Sequence, residues 1–128
     1  MNQPDVAPVV RQLTQPMLNA YADASGDHNP IHIDEAFAAS TPMGGTIAHD
    51  MLVLSFISEM MAGAFGLAWL NAGKLEVRFR APARPGDTVT ARAKPLEPKD
   101  EAIRYSVECV SQKDEVLIAG TAEVRPAE

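Results

Sequence analysis

Residues 25–34 (SGDHNPIHID) concentrate the side chains whose types and spacing suit acid–base chemistry. Asp27 and His32 are five residues apart, and the Asn29-Pro30 pair between them is a turn signal that can bring both side chains to one point. A carboxylate and an imidazole that converge on one water form a general acid–base pair. Structural roles stay open at this stage, because Asp27 and Asn29 are also typical turn caps and His32 could be a structural histidine.

The histidines raise the question of a metal site. His28, His32 and His49 are candidate ligands together with Asp27, but their spacings match no strong metal-ligand motif. We therefore expect no metal and no other cofactor. The single cysteine, Cys109, excludes an internal disulfide and a cysteine-based zinc site, and we interpret it as a small core residue.

Length and composition indicate one ordinary domain. With 128 residues, 46% of them hydrophobic and 22% charged, the chain is predicted to form a single globular domain over residues 1–128. The net charge of −6 argues against nucleic acid or an anionic membrane as the partner. The first ten residues include Asp5 and two prolines and lack a basic and then apolar leader, so we expect a cytoplasmic protein.

From residue 47 to residue 70 the chain is almost continuously apolar. The run is long enough to cross a bilayer, but a carboxylate at its middle, Glu59, would be costly there. Gly63 and Gly66 interrupt it, which favours a buried helix of about four turns followed by a turn. Thr46 is the candidate N-cap of this helix.

The second half is predicted to form strands, and its residues 74–80 alternate polar and apolar side chains with period two, as in a strand that has one solvent-exposed face. Strands are predicted over residues 9–13, 74–80, 88–96, 103–111 and 116–125. Short turns between the last four favour antiparallel pairing. Two short helices are predicted around residues 17–24 and 34–40. The predicted fold is α+β, with a curved antiparallel sheet that wraps the long apolar helix.

Three segments carry a family resemblance. Residues 21–32 (YADASGDHNPIH) resemble the hydratase signature of the MaoC-like (R)-specific enoyl-thioester hydratases and dehydratases, which is an aromatic residue followed by Ser-Gly-Asp-x-Asn-Pro-aliphatic-His. Residues 46–52 (TIAHDML) and residues 77–87 (VRFRAPARPGD) are similar to two further blocks of that family. The resemblance covers roughly residues 12–125.

The resemblance implies a hot-dog fold, a homodimer or higher homo-oligomer, and the reversible hydration of trans-2-enoyl thioesters to (3R)-hydroxyacyl thioesters. A heterodimer with another hot-dog chain is also compatible. The substrate would be carried on coenzyme A or on an acyl carrier protein, and no cofactor is implied. Asp27 and His32 would be the catalytic pair.

The resemblance also implies supporting roles. The backbone N–H of Asp50 would stabilise the thioester oxyanion, and Asn29 and Ser58 would orient the catalytic groups. The expected substrate-binding residues are His49, Ser55, Arg78, Arg80 and Arg84. The three arginines fall in a basic stretch that begins at Lys74, and a solvated strand face is the alternative interpretation of that stretch.

One position departs from the family pattern. Asp50 stands where the family usually has glycine, which places a carboxylate near the developing enolate if its side chain points inward. We expect this side chain to point away from the substrate. Two other functions stay open: a non-catalytic subunit that binds an acyl thioester or a partner, which Asp50 favours, and an acyl-thioesterase on the same scaffold.

Overall fold

Antiparallel strands form one five-stranded sheet in the computed structural model, which describes residues 3–125. In the order β1-β3-β4-β5-β2 across the sheet, the strands are β1 (Val9–Gln12), β2 (Lys74–Phe79), β3 (Thr88–Lys99), β4 (Ala102–Val110) and β5 (Val116–Val124). All five were expected from the sequence. β3 runs three residues past its predicted end, because Asp100 and Glu101 form a tight turn with positive φ and Lys99 still pairs with Ala102.

Helices fill the first half of the chain and the connection to β2. They are α1 (Gln15–Ser25), α2 (Pro30–Ile33), α3 (Glu35–Ala39), α4 (Asp50–Phe65) and α5 (Leu67–Ala72). Thr14 caps α1 and Asp34 caps α3, each through a side-chain oxygen that accepts a backbone N–H three residues on. The short helix α2 was not predicted, since its Asn29-Pro30 start reads only as a turn.

The apolar helix α4 packs one face on the sheet. Its buried residues recur every three to four positions, which is the spacing of a helical stripe. They are Leu52, Val53, Phe56, Ile57, Met60 and Met61. The opposite face, with Met51, Ser55 and Glu59, is exposed, and Met51 is 56% exposed. The prediction of a helix wrapped by the sheet is therefore only partly confirmed, because the sheet of one chain covers one side of α4.

The start of α4 differs from the prediction. The helix begins at Asp50 with His49 at the N-cap, so Thr46 is not its cap. Residues 47 and 48 precede the helix and are anchored to other segments, since Ile47 N–H donates to the Ile31 carbonyl and Ala48 N–H donates to the Ala83 carbonyl. The Thr46 hydroxyl is buried and donates instead to Gln15 Oε1 at 2.7 Å.

None of the helices in residues 3–125 is long and apolar enough to cross a membrane. The 16 residues of α4 span about 24 Å at 1.5 Å per residue, which is short of a hydrocarbon core of about 30 Å.

Cys109 on β4 has no exposed surface, and its thiol donates to the Val53 carbonyl of α4. Burial raises the pKa of this thiol to about 12. The group is a neutral core side chain near pH 7, which agrees with the prediction from sequence and excludes a thiolate nucleophile at this position.

The pairing of β2 with β5 depends on a glycine. A Cβ added at Gly120 would lie 1.9 Å from the Glu76 carbonyl oxygen of β2, whereas a Cβ added at Gly63 on the exposed face of α4 would meet nothing within 4 Å. The two positions therefore form a matched pair for one substitution.

Gly120→Ala should lower the free energy of unfolding by about 1–3 kcal/mol, since the methyl group forces the two strand backbones apart. Gly63→Ala should raise it by about 0.5–1 kcal/mol, because alanine favours the helix. Urea denaturation of both variants measures these changes, and a Gly120→Ala protein as stable as wild type would contradict the packing at the β2–β5 pair.

Candidate active site

Asp27 is held in a tight loop between α1 and α2. Gly26 ends α1 with a φ of 82°, a conformation that favours glycine, and this reversal brings Asp27 away from the helix axis. The Asp27 N–H donates to Ser25 Oγ at 3.1 Å, and Asp27 Oδ1 accepts the Asn29 N–H at 3.2 Å. The second carboxylate oxygen, Oδ2, is left to face His32.

His32 is placed by α2, whose N-cap Asn29 accepts the Ile31 N–H on its side-chain oxygen at 3.1 Å. The His32 Nδ1 lies 2.8 Å from the Ile47 carbonyl oxygen. A carbonyl only accepts hydrogen bonds, so Nδ1 carries the proton and Nε2 of the neutral ring is an acceptor. The side chain is 12% exposed, so the protein walls fix its orientation.

The facing atoms of the two side chains are 3.7 Å apart, from Asp27 Oδ2 to His32 Nε2. This separation exceeds a direct hydrogen bond, and with neutral His32 both atoms are acceptors. A small molecule with two O–H donors therefore fits between them better than they fit each other. Such a pair can take up a proton from that molecule and return it elsewhere.

A polar contact that sequence reasoning missed supports the His32 turn. Gln15 Nε2 donates to the His32 carbonyl at 2.8 Å and to Asn19 Oδ1 at 3.0 Å, and Gln15 Oε1 accepts the Thr46 hydroxyl. The contact joins α1, α2 and the segment before α4. Nothing in the sequence signals it, because Gln15 is 17 residues from His32 and 31 residues from Thr46.

His49 was expected to bind substrate, but the structure places it beneath the pair. It borders the cleft with only 2% of its surface exposed. Its Nε2 lies 3.0 Å from the Asp27 carbonyl oxygen, and its ring stacks on His32 with 3.8 Å between ring centroids. Its side chain therefore contacts both members of the pair.

The pair opens into a cleft of about 300 Å³. Tyr21 and Met51 supply apolar surface there, and the first residues of α4 form one edge. The Leu52 and Val53 N–H groups bond to the His49 carbonyl, whereas the Asp50 and Met51 N–H groups find no acceptor within residues 3–125. The beginning of α4 thus offers two backbone donors and the positive end of a helix dipole.

Other expected residues lie elsewhere. Ser58 accepts the Trp69 indole N–H at 3.0 Å, and Ser55 donates to the Leu52 carbonyl of its own helix. Neither lines the cleft. Among residues 3–125, no hydrogen bond joins Ser58 to His32, and the Ser55 hydroxyl is bonded within α4, so the expected roles of both serines stay predictions.

The arginines expected to bind substrate also lie outside the cleft. Arg78 lines a hollow of about 510 Å³ over β2 and β5, Arg80 is exposed, and Arg84 is partly buried beyond the end of β2. Lys74, Glu76, Arg78 and Arg80 share the exposed face of the β2 segment, as the period-two pattern predicts.

His28 lies outside the candidate site. It points away and donates to Asp23 Oδ1 at 3.0 Å, and this hydrogen bond raises the pKa of His28.

The side chains of the site do not fit a metal ion well. Asp27, His32 and His49 offer ligand atoms within 4.8 Å of one another, but the two imidazoles are nearly parallel, 23° apart. Stacked rings direct their in-plane lone pairs side by side, so they do not converge on one ion at about 2.0–2.1 Å. The arrangement suits proton transfer better than metal binding.

The family model described as a MaoC-like domain matches residues 2–116, and the chain therefore belongs to that family. The chain is 36% identical over 109 residues to the 3-hydroxybutyryl-CoA dehydratase of Methylorubrum extorquens, a match that covers 82% of this chain and 68% of the relative. It is 31% identical over 123 residues to an (R)-specific enoyl-CoA hydratase of Rhodospirillum rubrum, which covers 92% and 83% of the two chains.

Solved structures agree on the fold. The unliganded R-hydratase of Pseudomonas aeruginosa superposes with a TM-score of 0.85 at 28% sequence identity, over 100% of this chain and 84% of that one. The architecture is a hot-dog fold, as the resemblance in the sequence implies.

Proposed function

We propose that the chain adds water reversibly to trans-2-enoyl thioesters to give (3R)-hydroxyacyl thioesters, with Asp27 and His32 as the catalytic pair. The observation that carries this proposal is the 3.7 Å separation of Asp27 Oδ2 and His32 Nε2 at the wall of a partly apolar cleft. The names of the relatives support it, since they include an (R)-specific enoyl-CoA hydratase and a 3-hydroxybutyryl-CoA dehydratase.

The water is held by its two hydrogens. It donates one hydrogen bond to Asp27 Oδ2 and one to His32 Nε2, so the lone pairs of its oxygen face the substrate. As that oxygen bonds to C3 of the enoyl group, the pair accepts a proton, and the same proton equivalent is delivered to C2. The protein returns to its starting state, and the atoms of one water are added across the double bond.

The charge that develops on the thioester oxygen is met by the start of α4. The N–H groups of Asp50 and Met51 are the donors available at the cleft, and the aligned helix dipole adds to them. Such preorganised donors stabilise the enolate more than the neutral thioester, which is the condition for faster turnover.

The anionic carrier and the assembly stay predictions. Arg78 on β2 and Arg80 just after it are exposed cations that can meet coenzyme A phosphates or the acidic face of an acyl carrier protein. Substrate affinity that does not change with salt would count against this role.

A homodimer would cover the exposed face of α4, and the molar mass in solution tests it against the 13.7 kDa of one chain.

Asp27→Asn and His32→Ala should each lower kcat for crotonyl-CoA hydration by about 10²- to 10⁴-fold, because each removes a proton-transfer group. Loss of the enoyl absorbance of crotonyl-CoA and of a longer enoyl-CoA measures the rate. Asp23→Asn and His28→Ala are matched controls, since these residues are of the same types in the same region but outside the cleft.

Full activity in Asp27→Asn or His32→Ala would overturn the catalytic pair. Release of free thiol would instead identify a thioesterase, and wild-type protein that binds enoyl-CoA unchanged would identify a non-catalytic subunit.

Asp50→Gly should change kcat by less than about threefold. The Asp50 residue is exposed, so water screens its charge at the cleft, and the backbone N–H is present in both proteins. The same absorbance assay measures it. A gain of tenfold or more would show that the carboxylate faces the developing enolate.

A further inference from the structure

His49 combines a satisfied and an unsatisfied ring nitrogen. Its Nε2 faces the Asp27 carbonyl oxygen at 3.0 Å, so Nε2 carries the proton. Its Nδ1 is buried and has no hydrogen-bond partner among the described residues. A hydrophobic side chain would fill this volume without leaving an acceptor unpaired. What the imidazole adds is its single N–H donor and its flat face.

The flat face limits how His32 can move. The rings of His32 and His49 lie 3.8 Å apart at their centroids and 23° from parallel. Tyr21 packs against the His49 ring, with 4.8 Å between the two centroids. Because Nδ1 of His32 is hydrogen-bonded to the Ile47 carbonyl, the stack restricts the remaining rotation of the His32 ring. The Ile47 bond fixes the direction of His32 Nε2, and the stack adds packing that a side chain of similar volume at position 49, such as glutamine, can also supply.

The backbone of His49 belongs to the third part of the site. Its carbonyl accepts the N–H groups of Leu52 at 3.0 Å and Val53 at 3.3 Å, as the N-cap of α4. One residue therefore connects the Asp27 loop, the His32 ring and the helix end that presents the free donors. A shift of His49 would move all three relative to one another.

We propose that His49 is a positioning residue that sets the separation between Asp27 and His32 and registers both against the start of α4. This role rests on the proposed function and deepens it. His49 exchanges no proton with the substrate, because its Nε2 is committed to a carbonyl and its Nδ1 is enclosed.

Two substitutions separate the donor from the ring. His49→Gln keeps an N–H near the Nε2 position and loses the aromatic face, whereas His49→Phe keeps a ring and loses the donor. A misplacement of about 1 Å can cost about 10²-fold in rate. His49→Phe should therefore lower kcat by about 10- to 100-fold and leave KM within about twofold, and His49→Gln should restore kcat to within about fivefold of wild type.

Thermal unfolding and circular dichroism accompany the kinetics. If His49→Phe does not fold, His49→Met, which also lacks the donor, takes its place. Wild-type kcat in the folded donor-free variant would overturn the proposal. A loss of kcat that the glutamine variant does not restore would also overturn it, since the donor would then not be the element that positions Asp27.

Crystal structures of the same variants decide the inference without turnover. In His49→Phe the distance from Asp27 Oδ2 to His32 Nε2 should move away from 3.7 Å by about 1 Å, and in His49→Gln it should stay. If the wild type hydrates no enoyl thioester, the proposed function fails while this distance still tests His49. An unchanged distance in His49→Phe would refute the positioning role.

Discussion

The hydrogen bond from His32 Nδ1 to the Ile47 carbonyl is the contact on which the rest of the site depends. It decides which nitrogen of His32 carries the proton and therefore makes Nε2 an acceptor that faces Asp27 Oδ2. If the tautomer were reversed, the ring would donate to the carboxylate, and a water with two hydrogens would no longer fit between them. One backbone carbonyl thus sets the chemistry of the pair.

The fold explains why that carbonyl is in place. Residues 47 and 48 precede the helix, and their N–H groups are bonded to the Ile31 and Ala83 carbonyls. These two bonds tie the segment before α4 to α2 on one side and to the loop after β2 on the other. The Ile47 carbonyl consequently points at His32, and α4 starts three residues later with its free donors at the cleft.

Much of this architecture was predictable because it follows from local patterns. Period-two alternation over residues 74–80 predicted β2, the turn signals between the later segments predicted β3 to β5, and the apolar run with Gly63 and Gly66 predicted α4 and its end. The motif around Asp27 and His32 also indicated two residues that the structure brings together.

The remaining features depend on contacts between residues far apart in the chain. His49 was expected to bind substrate, but its ring is buried and forms a hydrogen bond with the Asp27 carbonyl, 22 residues earlier in the chain. Ser58 was expected near His32, but its hydroxyl oxygen accepts a hydrogen bond from the indole N–H of Trp69 in α5. Thr46 resembles a helix cap, yet its partner Gln15 lies 31 residues earlier. These hydrogen bonds join residues far apart in the chain and produce no periodic sequence pattern, so they could not be predicted from the sequence alone.

The central claim is that a single water, held by Asp27 and His32 on one face of the substrate, supplies both the hydroxyl and the hydrogen. Hydration of crotonyl-CoA in D₂O, stopped at low conversion, tests this claim. The vicinal coupling constant between the protons on C2 and C3 of the product, measured by proton NMR, shows which face of C2 carries deuterium. The account predicts one deuterium at C2, on the same face as the C3 hydroxyl. Deuterium on the opposite face, or on both faces equally, would contradict it.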